Sequence, residues 1–327
     1  MNVEKTVVVP LDPEQTFALI TEPERLRRWN IIAGRIAVEV GGESRMTVAP
    51  GFHAVGRLLE LEPGRRISWT QSWEGRDEVP EGSATVTITL EPVEGGTRLT
   101  LVHAGLDEEQ AAGHAEGWDW YLQRLLAVAS GKDPGPDHWD GLLQEADAAA
   151  LADASLAVLL RVLRDLPPEA LARRTPCRDF DVAALLDHLA GSLAAAGSEL
   201  GITAAAEAAG TAEDRMARLA QPVLEAFTRR LREGTLAPEQ EKFLAGMINN
   251  ELLVHAWDFA TATGRPLDAP PELAERVLEL GELTPELRAV AGFDDAVPVP
   301  PDAPALDRLV AHTGRVPRRW PDPSPRR

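Results

Sequence analysis

Up to about residue 130, apolar and polar residues alternate in short runs. Beyond it, apolar residues recur at three- and four-residue spacing. The alternation predicts strands at Thr6–Val9, Arg35–Val40, Val55–Leu61, Arg66–Trp73, Ala84–Leu90 and Arg98–His103. Pro92-Val93-Glu94-Gly95-Gly96 reads as the connection of a hairpin between the last two. Asp12-Pro13-Glu14 opens a helix carrying Phe17, Leu19 and Ile20, with Asp12 as its N-cap and Pro13 in its first turn. A long amphipathic helix begins at Asp107 and places Trp118, Tyr121, Leu122, Leu125 and Leu126 on one stripe. A long helix closing over a curved antiparallel sheet is an α+β arrangement.

The period of two also assigns faces. Ile67, Trp69, Gln71 and Trp73 point one way along their strand; Ala84, Val86, Ile88 and Leu90 share a face, as do Leu99, Leu101 and His103. Gln71 and His103 therefore face inward and need polar partners, which a ligand or water could supply.

The second half predicts helices at Asp147–Leu166, Asp181–Ala196, Ala212–Arg232 and Pro238–Thr263. Shorter ones are expected near Pro271–Leu280 and Pro285–Ala291, and then an ordered wrap with a frayed Pro-rich end. Four long helices with modest loops suggest a four-helix bundle. Between the halves, Gly131-Lys132-Asp133-Pro134-Gly135-Pro136-Asp137 cannot continue a helix and reads as a linker. The expected division is 1–130, a linker at 131–137, and 138–327.

Hydrophobic residues make up 44% and charged residues 26% of 327 residues, which excludes a disordered or collagen-like chain. A net charge of −19 argues against nucleic acid and against an anionic membrane surface as partners. Cys177 is the only cysteine, so an intrachain disulfide and a Cys-rich zinc module are both excluded. The first residues lack the basic and apolar regions of a signal peptide, and no apolar run has the length of a membrane span. A soluble cytoplasmic protein is expected, of open oligomeric state.

Glu251 and His255 stand four apart on the fourth long helix, which puts both on one face. His188 lies among leucines on the second. Two histidines and a glutamate converging between helices make a three-ligand metal site with a position left for water or substrate. Zinc fits this donor set best, with nickel, iron and manganese as alternatives. Asp258, three residues beyond His255, could orient it. The plain alternative is a solvated Glu–His pair and a hydrogen-bonded core histidine, because the sequence does not show that His188 meets the other two. Cys177 precedes a helix N-terminus, where a thiol acidifies; a small buried residue in a turn is the simpler reading.

Thr175-Pro176-Cys177-Arg178-Asp179-Phe180-Asp181-Val182, leading into Leu185-Leu186-Asp187-His188-Leu189, resembles the mycothiol-dependent maleylpyruvate isomerase-like proteins of the DinB-like metalloenzyme superfamily. Glu251-Leu252-Leu253-Val254-His255-Ala256-Trp257-Asp258-Phe259-Ala260, then Thr263-Gly264, is similar to their second signature. Leu309 with Gly314-Arg315-Val316-Pro317 resembles the ending of one branch. The resemblance implies a divalent metal held at His188, Glu251 and His255. It also implies a thiol cosubstrate such as mycothiol, whose pKa the metal lowers to give a nucleophilic thiolate.

A second resemblance covers roughly residues 1–130. Pro10-Leu11-Asp12-Pro13-Glu14, Phe17, Pro23, Trp29, Gly56, Glu60, Pro63, Ile67 and Trp69 carry it, with Gly95-Gly96-Thr97-Arg98-Leu99-Thr100-Leu101 and Gly117-Trp118. Together they resemble the SRPBCC (START-like, helix-grip) superfamily, in the branch named for the activator of Hsp90 ATPase. That fold implies a cavity between sheet and long helix for a hydrophobic or aromatic small molecule. The candidate lining is Trp69, Gln71, Trp73, Leu101, His103 and Trp118; ordinary core packing is the alternative for each.

The expected architecture is thus an α+β helix-grip domain followed by an all-α DinB-like four-helix bundle. The expected function is a metal- and thiol-dependent transferase or isomerase acting on a small electrophile. The alternatives are a non-enzymatic small-molecule binding or stress-response protein with a vestigial metal site, and a chaperone cofactor.

Overall fold

The structure is a computed structural model and describes residues 1–139, 141–177, 180–203, 210–280, 288 and 293–317. The chain forms two compact units, Met1–Asp137 and His138–Arg327.

Unit 1 is a seven-stranded antiparallel sheet with helices. The strands are β1 (Val3–Val9), β2 (Ala33–Ile36), β3 (Glu43–Ala49), β4 (Phe52–Glu62), β5 (Arg66–Trp73), β6 (Ala84–Val93) and β7 (Gly96–Ala104). Their order across the sheet is β1-β7-β6-β5-β4-β3-β2. Helices α1 (Pro13–Thr21) and α2 (Pro23–Leu26) link β1 to β2, and α3 (Glu108–Ala129) follows β7. Asp12 caps α1 by accepting from the Gln15 N–H at 2.7 Å. Asp107 and Gln110 form a reciprocal capping box on α3. The inward faces of β6 and β7 are the core: Ala84, Val86, Ile88, Leu90, Leu99 and Leu101 are all buried.

Three local departures from the sequence reading have physical causes. Strand β3 escapes the alternation pattern because it buries a cation: Arg45 is 3% exposed and pairs with Glu74 at 2.7 Å. The strand expected at 35–40 ends at Ile36; Val38 and Val40 are exposed, and Gly41 takes φ +86° in the turn to β3. The β6–β7 hairpin is tighter than its loop signal. Pro92 lies within β6 opposite Thr97, and Val93 pairs with Gly96, leaving Glu94-Gly95 as the turn. A Cβ at Gly96 would meet the Val9 carbonyl at 2.0 Å, so this position admits only glycine.

Unit 2 is helical among the described residues: α4 (Ala148–Leu163), a 3-10 turn at Pro168–Ala170, α5 (Val182–Glu199), α6 (Ala212–Arg232), α7 (Pro238–Thr263), α8 (Pro271–Glu279) and α9 (Ala305–His312). Helix α4 packs on α6 and α7, and α5 packs on the same two, which closes a ring of four. Helix α4 stops three residues before the expected end. The Arg265 guanidinium takes the carbonyls of Val162 (3.0 Å), Arg164 and Asp165 (2.7 Å) there, and Asp165 adopts φ +52°. Helix α7 is buried without a break from Leu244 to Ala260 and ends at Gly264, φ +71°. The expected wrap near the C-terminus contains α9. The helix expected at Pro285–Ala291, together with Arg178 and Asp179 of the first signature, lies outside the described residues, as does the expected frayed end from 318 onward.

Candidate functional site

Helix α7 sets two of three converging side chains, and α5 sets the third. Asp181 caps α5 through the Ala184 N–H at 2.9 Å, which fixes where His188 falls, two turns in. One donor atom each from His188, Glu251 and His255 lie within 4.8 Å of one another. Glu251 Oε2 stands 3.5 Å from His188 Nε2 and 3.6 Å from His255 Nε2. These are ion-pair distances and not hydrogen bonds. His188 Nε2, His255 Nε2 and both Glu251 oxygens are buried with no hydrogen-bond partner. Four such atoms in one cage are costly unless a cation takes them. The donor set and its lone pairs therefore fit a divalent metal of the zinc type.

Charge follows the same logic. Burial alone would raise the Glu251 carboxyl, but His255 and His188 outweigh it and hold its pKa at about 2. Burial works against a charged His255 as well, and Glu251 and Asp258 outweigh it, so its pKa lies above the usual histidine value. His255 Nδ1 is 2.9 Å from Asp258 Oδ2. Asp258, fully buried, receives Arg315 on both oxygens, at 3.3 Å and 2.8 Å. Aromatic rings wall the cage: Phe180 stacks on His188 with centroids 5.0 Å apart, and Phe293 lies 5.8 Å from His255. The His188 side chain is 16% exposed against 1% or less for the other two, so the cage opens on the His188 side. Cys177 is buried and stands outside the cluster; its carbonyl accepts from Phe180 N–H at 3.1 Å. Sequence reasoning placed no role on Phe180, Phe293 or Arg315. Phe180 and Arg315 stood inside quoted motifs, but nothing in their spacing pointed at His188 or Asp258.

Unit 1 encloses a cavity of about 620 Å³ between the sheet and α3. Trp69, Gln71, Trp73 and Trp118 line it, as their faces predicted. Leu101 and His103 do not. Both are fully buried at the β6–β7 end of the sheet, opposite Ile88 and Val86, where His114 and Trp118 cover the His103 ring. Their inward orientation was legible; that α3 would cover them was not. Each inward polar group finds one protein partner, while His103 Nε2 is buried without one. Gln71 Oε1 accepts from Trp69 Nε1 at 3.3 Å, and His103 Nδ1 accepts from Trp118 Nε1 at 3.2 Å. Burial, with a smaller contribution from His114, lowers the His103 pKa to about 3. Met46, Val48, Phe52, His114 and Tyr121 complete much of the wall; the first two lie on the strand that the alternation missed.

Comparison with known proteins divides along the chain. Residues 10–130 match the family model described as Activator of Hsp90 ATPase homolog 1-like protein, so unit 1 is a domain of that type. A solution structure of an AHSA1-like protein from Rhizobium etli is 39% identical, covering 43% of this chain and 89% of that one, with a TM-score of 0.36. The Aha1 dimer from Colwellia psychrerythraea is 20% identical over 39% of this chain and 96% of that one, also with a TM-score of 0.36. An uncharacterized protein of Mycobacterium tuberculosis, Rv0738, is 32% identical over 180 residues, which cover 51% of this chain and 94% of the relative. The chain belongs to the family of that mycobacterial protein. No helix among the described residues is long and apolar enough to cross a membrane.

Proposed function

We propose that unit 2 holds a divalent metal, zinc for preference, through His188, Glu251 and His255. On this reading the protein is a thiol-dependent transferase or isomerase acting on a small electrophile. The observation that carries the reading is the cage of four buried, unpartnered donor atoms. The chemistry supplied there when the ion is bound is Lewis-acid activation, which ionises a thiol or water at the open position near neutral pH. The chain's own residues do the rest. Glu251 and the two imidazoles bind, Asp258 holds a proton on His255 Nδ1, and Phe180 and Phe293 keep water from the walls. Substrate approaches past His188, the exposed member. The DinB-like class of the bundle and mycothiol as the thiol rest on the two signature resemblances, and the ring of four packed helices supports the first.

In the same proposal, the cavity of unit 1 takes a hydrophobic or aromatic small molecule, as domains of its type do. That cavity also favours a second reading: a non-enzymatic ligand carrier whose metal site is vestigial. A chaperone-cofactor role follows only from the description of the matching family, and no residue described above carries it.

Elemental analysis of tag-free protein, beside His255→Ala, tests the proposal. About one zinc or nickel per chain is expected, lost in the variant. Wild type without metal, and without uptake on titration, overturns the enzyme reading and leaves the carrier.

A further inference from the structure

We infer that Arg315 is a positioning residue for the metal cage, acting through Asp258 on His255. The inference rests on the metal reading above and extends it to the C-terminal segment, where Arg315 lies 57 positions beyond Asp258 in sequence.

The argument begins with Asp258. Its carboxylate is fully buried, where its orientation is set by the groups that bond to it. Here it is clamped. Arg315 Nη2 donates to Oδ2 at 2.8 Å and Nε donates to Oδ1 at 3.3 Å, a two-point contact that fixes the plane of the carboxylate. Oδ2 then faces His255 Nδ1 at 2.9 Å. With the proton held on Nδ1, the lone pair of Nε2 points into the cage, toward Glu251 Oε2 at 3.6 Å.

Arg315 is itself held. It is 4% exposed, its Nη1 donates to the Thr313 carbonyl at 2.9 Å, and its guanidinium lies 4.8 Å from the ring centre of Phe293. Phe293 in turn lies against His255. The segment around Thr313–Arg315 follows α9, which packs on α7 and α8. One buried cation thus ties the end of the described chain to a ligand on the central helix. A substitution there that leaves all three ligands in place is expected to loosen the metal.

The experiment is a cobalt(II) titration of the full chain, followed by the absorption of the bound ion. It compares wild type, Arg315→Met, Asp258→Asn and the double variant, with circular dichroism as the check on folding. Arg315→Met is expected to bind about 10- to 100-fold more weakly. Because the effect runs through Asp258, the double variant is expected to bind no more weakly than Asp258→Asn alone. A residue that merely supports the fold would give additive losses. The second readout needs no metal: the proton on His255 Nδ1, hydrogen-bonded to a carboxylate, gives a downfield resonance expected in wild type and lost in Arg315→Met. Should Arg315→Met fail to fold, Arg315→Lys takes its place. It keeps the charge but loses the two-point contact, and a weaker but measurable loss of affinity is expected. Wild-type affinity in the variant with the resonance intact overturns the proposal, as do additive losses. A wild type that takes up no cobalt overturns the metal reading instead. Loss of the resonance in Arg315→Met would then still support the positioning role, and its persistence would overturn it.

Discussion

His188 Nε2, on α5, faces Glu251 Oε2, on α7, across 3.5 Å, and neither atom makes a hydrogen bond. Two helices far apart in sequence thus share one electrostatic demand. A divalent ion that meets it binds the folded chain and not the unfolded one. Zinc at one hundred times its dissociation constant should therefore add about 2.7 kcal/mol to stability. Thermal unfolding with and without zinc checks this. The expected rise in Tm is absent in His188→Ala and His255→Ala, and a chelator reverses it in wild type.

His103 predicts a dependence on acid. Its pKa falls from an ordinary 6.5 to about 3 on folding, through burial first and His114 second. The unfolded chain therefore takes up a proton that the folded one refuses. Its contribution to stability is complete above pH 6.5 and is lost progressively as pH falls from there to about 3, by at most about 1.4 kcal/mol per pH unit. His103→Leu should remove this component. Urea unfolding across that window, read on tryptophan fluorescence, compares the two slopes.

Gly117 offers a way to fill the cavity without strain. It lines the cavity from α3, and a Cβ built on it meets no atom within 4 Å. Gly117→Leu should place an apolar side chain in the ligand space while strengthening the helix by up to about 1 kcal/mol. Binding of a neutral naphthylamine probe, followed by its fluorescence, should fall at least tenfold while Tm holds or rises. Undiminished binding would put the probe elsewhere.

Gly56 behaves in the opposite way. A Cβ there would sit 1.7 Å from the Thr70 carbonyl, inside the β4–β5 pair. Gly56→Ala must push the strands apart, and a loss of about 1–3 kcal/mol is expected. Chemical denaturation measures it.

The elements were legible where local chemistry suffices. Strand β5 and helices α6 and α7 span the residues that alternation and helical spacing predict, with Pro238 opening α7 and Gly264 closing it. The boundaries failed where a distant group decided them, as Arg265 does at the end of α4 and Glu74 does beneath Arg45. Among the candidate residues, the i,i+4 spacing put Glu251 and His255 together, since a helix turn is a local property. That His188 joins them depends on how α5 packs against α7.

By itself the sequence determined which side chains share a face, where helices are capped, and that two histidines and a glutamate were candidates to meet. Periodicity encodes those facts within a few residues. Only the tertiary structure decided that Leu101 and His103 are covered core while Met46 and Phe52 face the cavity. It alone brought Arg315 to Asp258. Those relations depend on which buried surfaces meet, and a buried ion pair between residues 57 positions apart leaves no periodic trace in the chain.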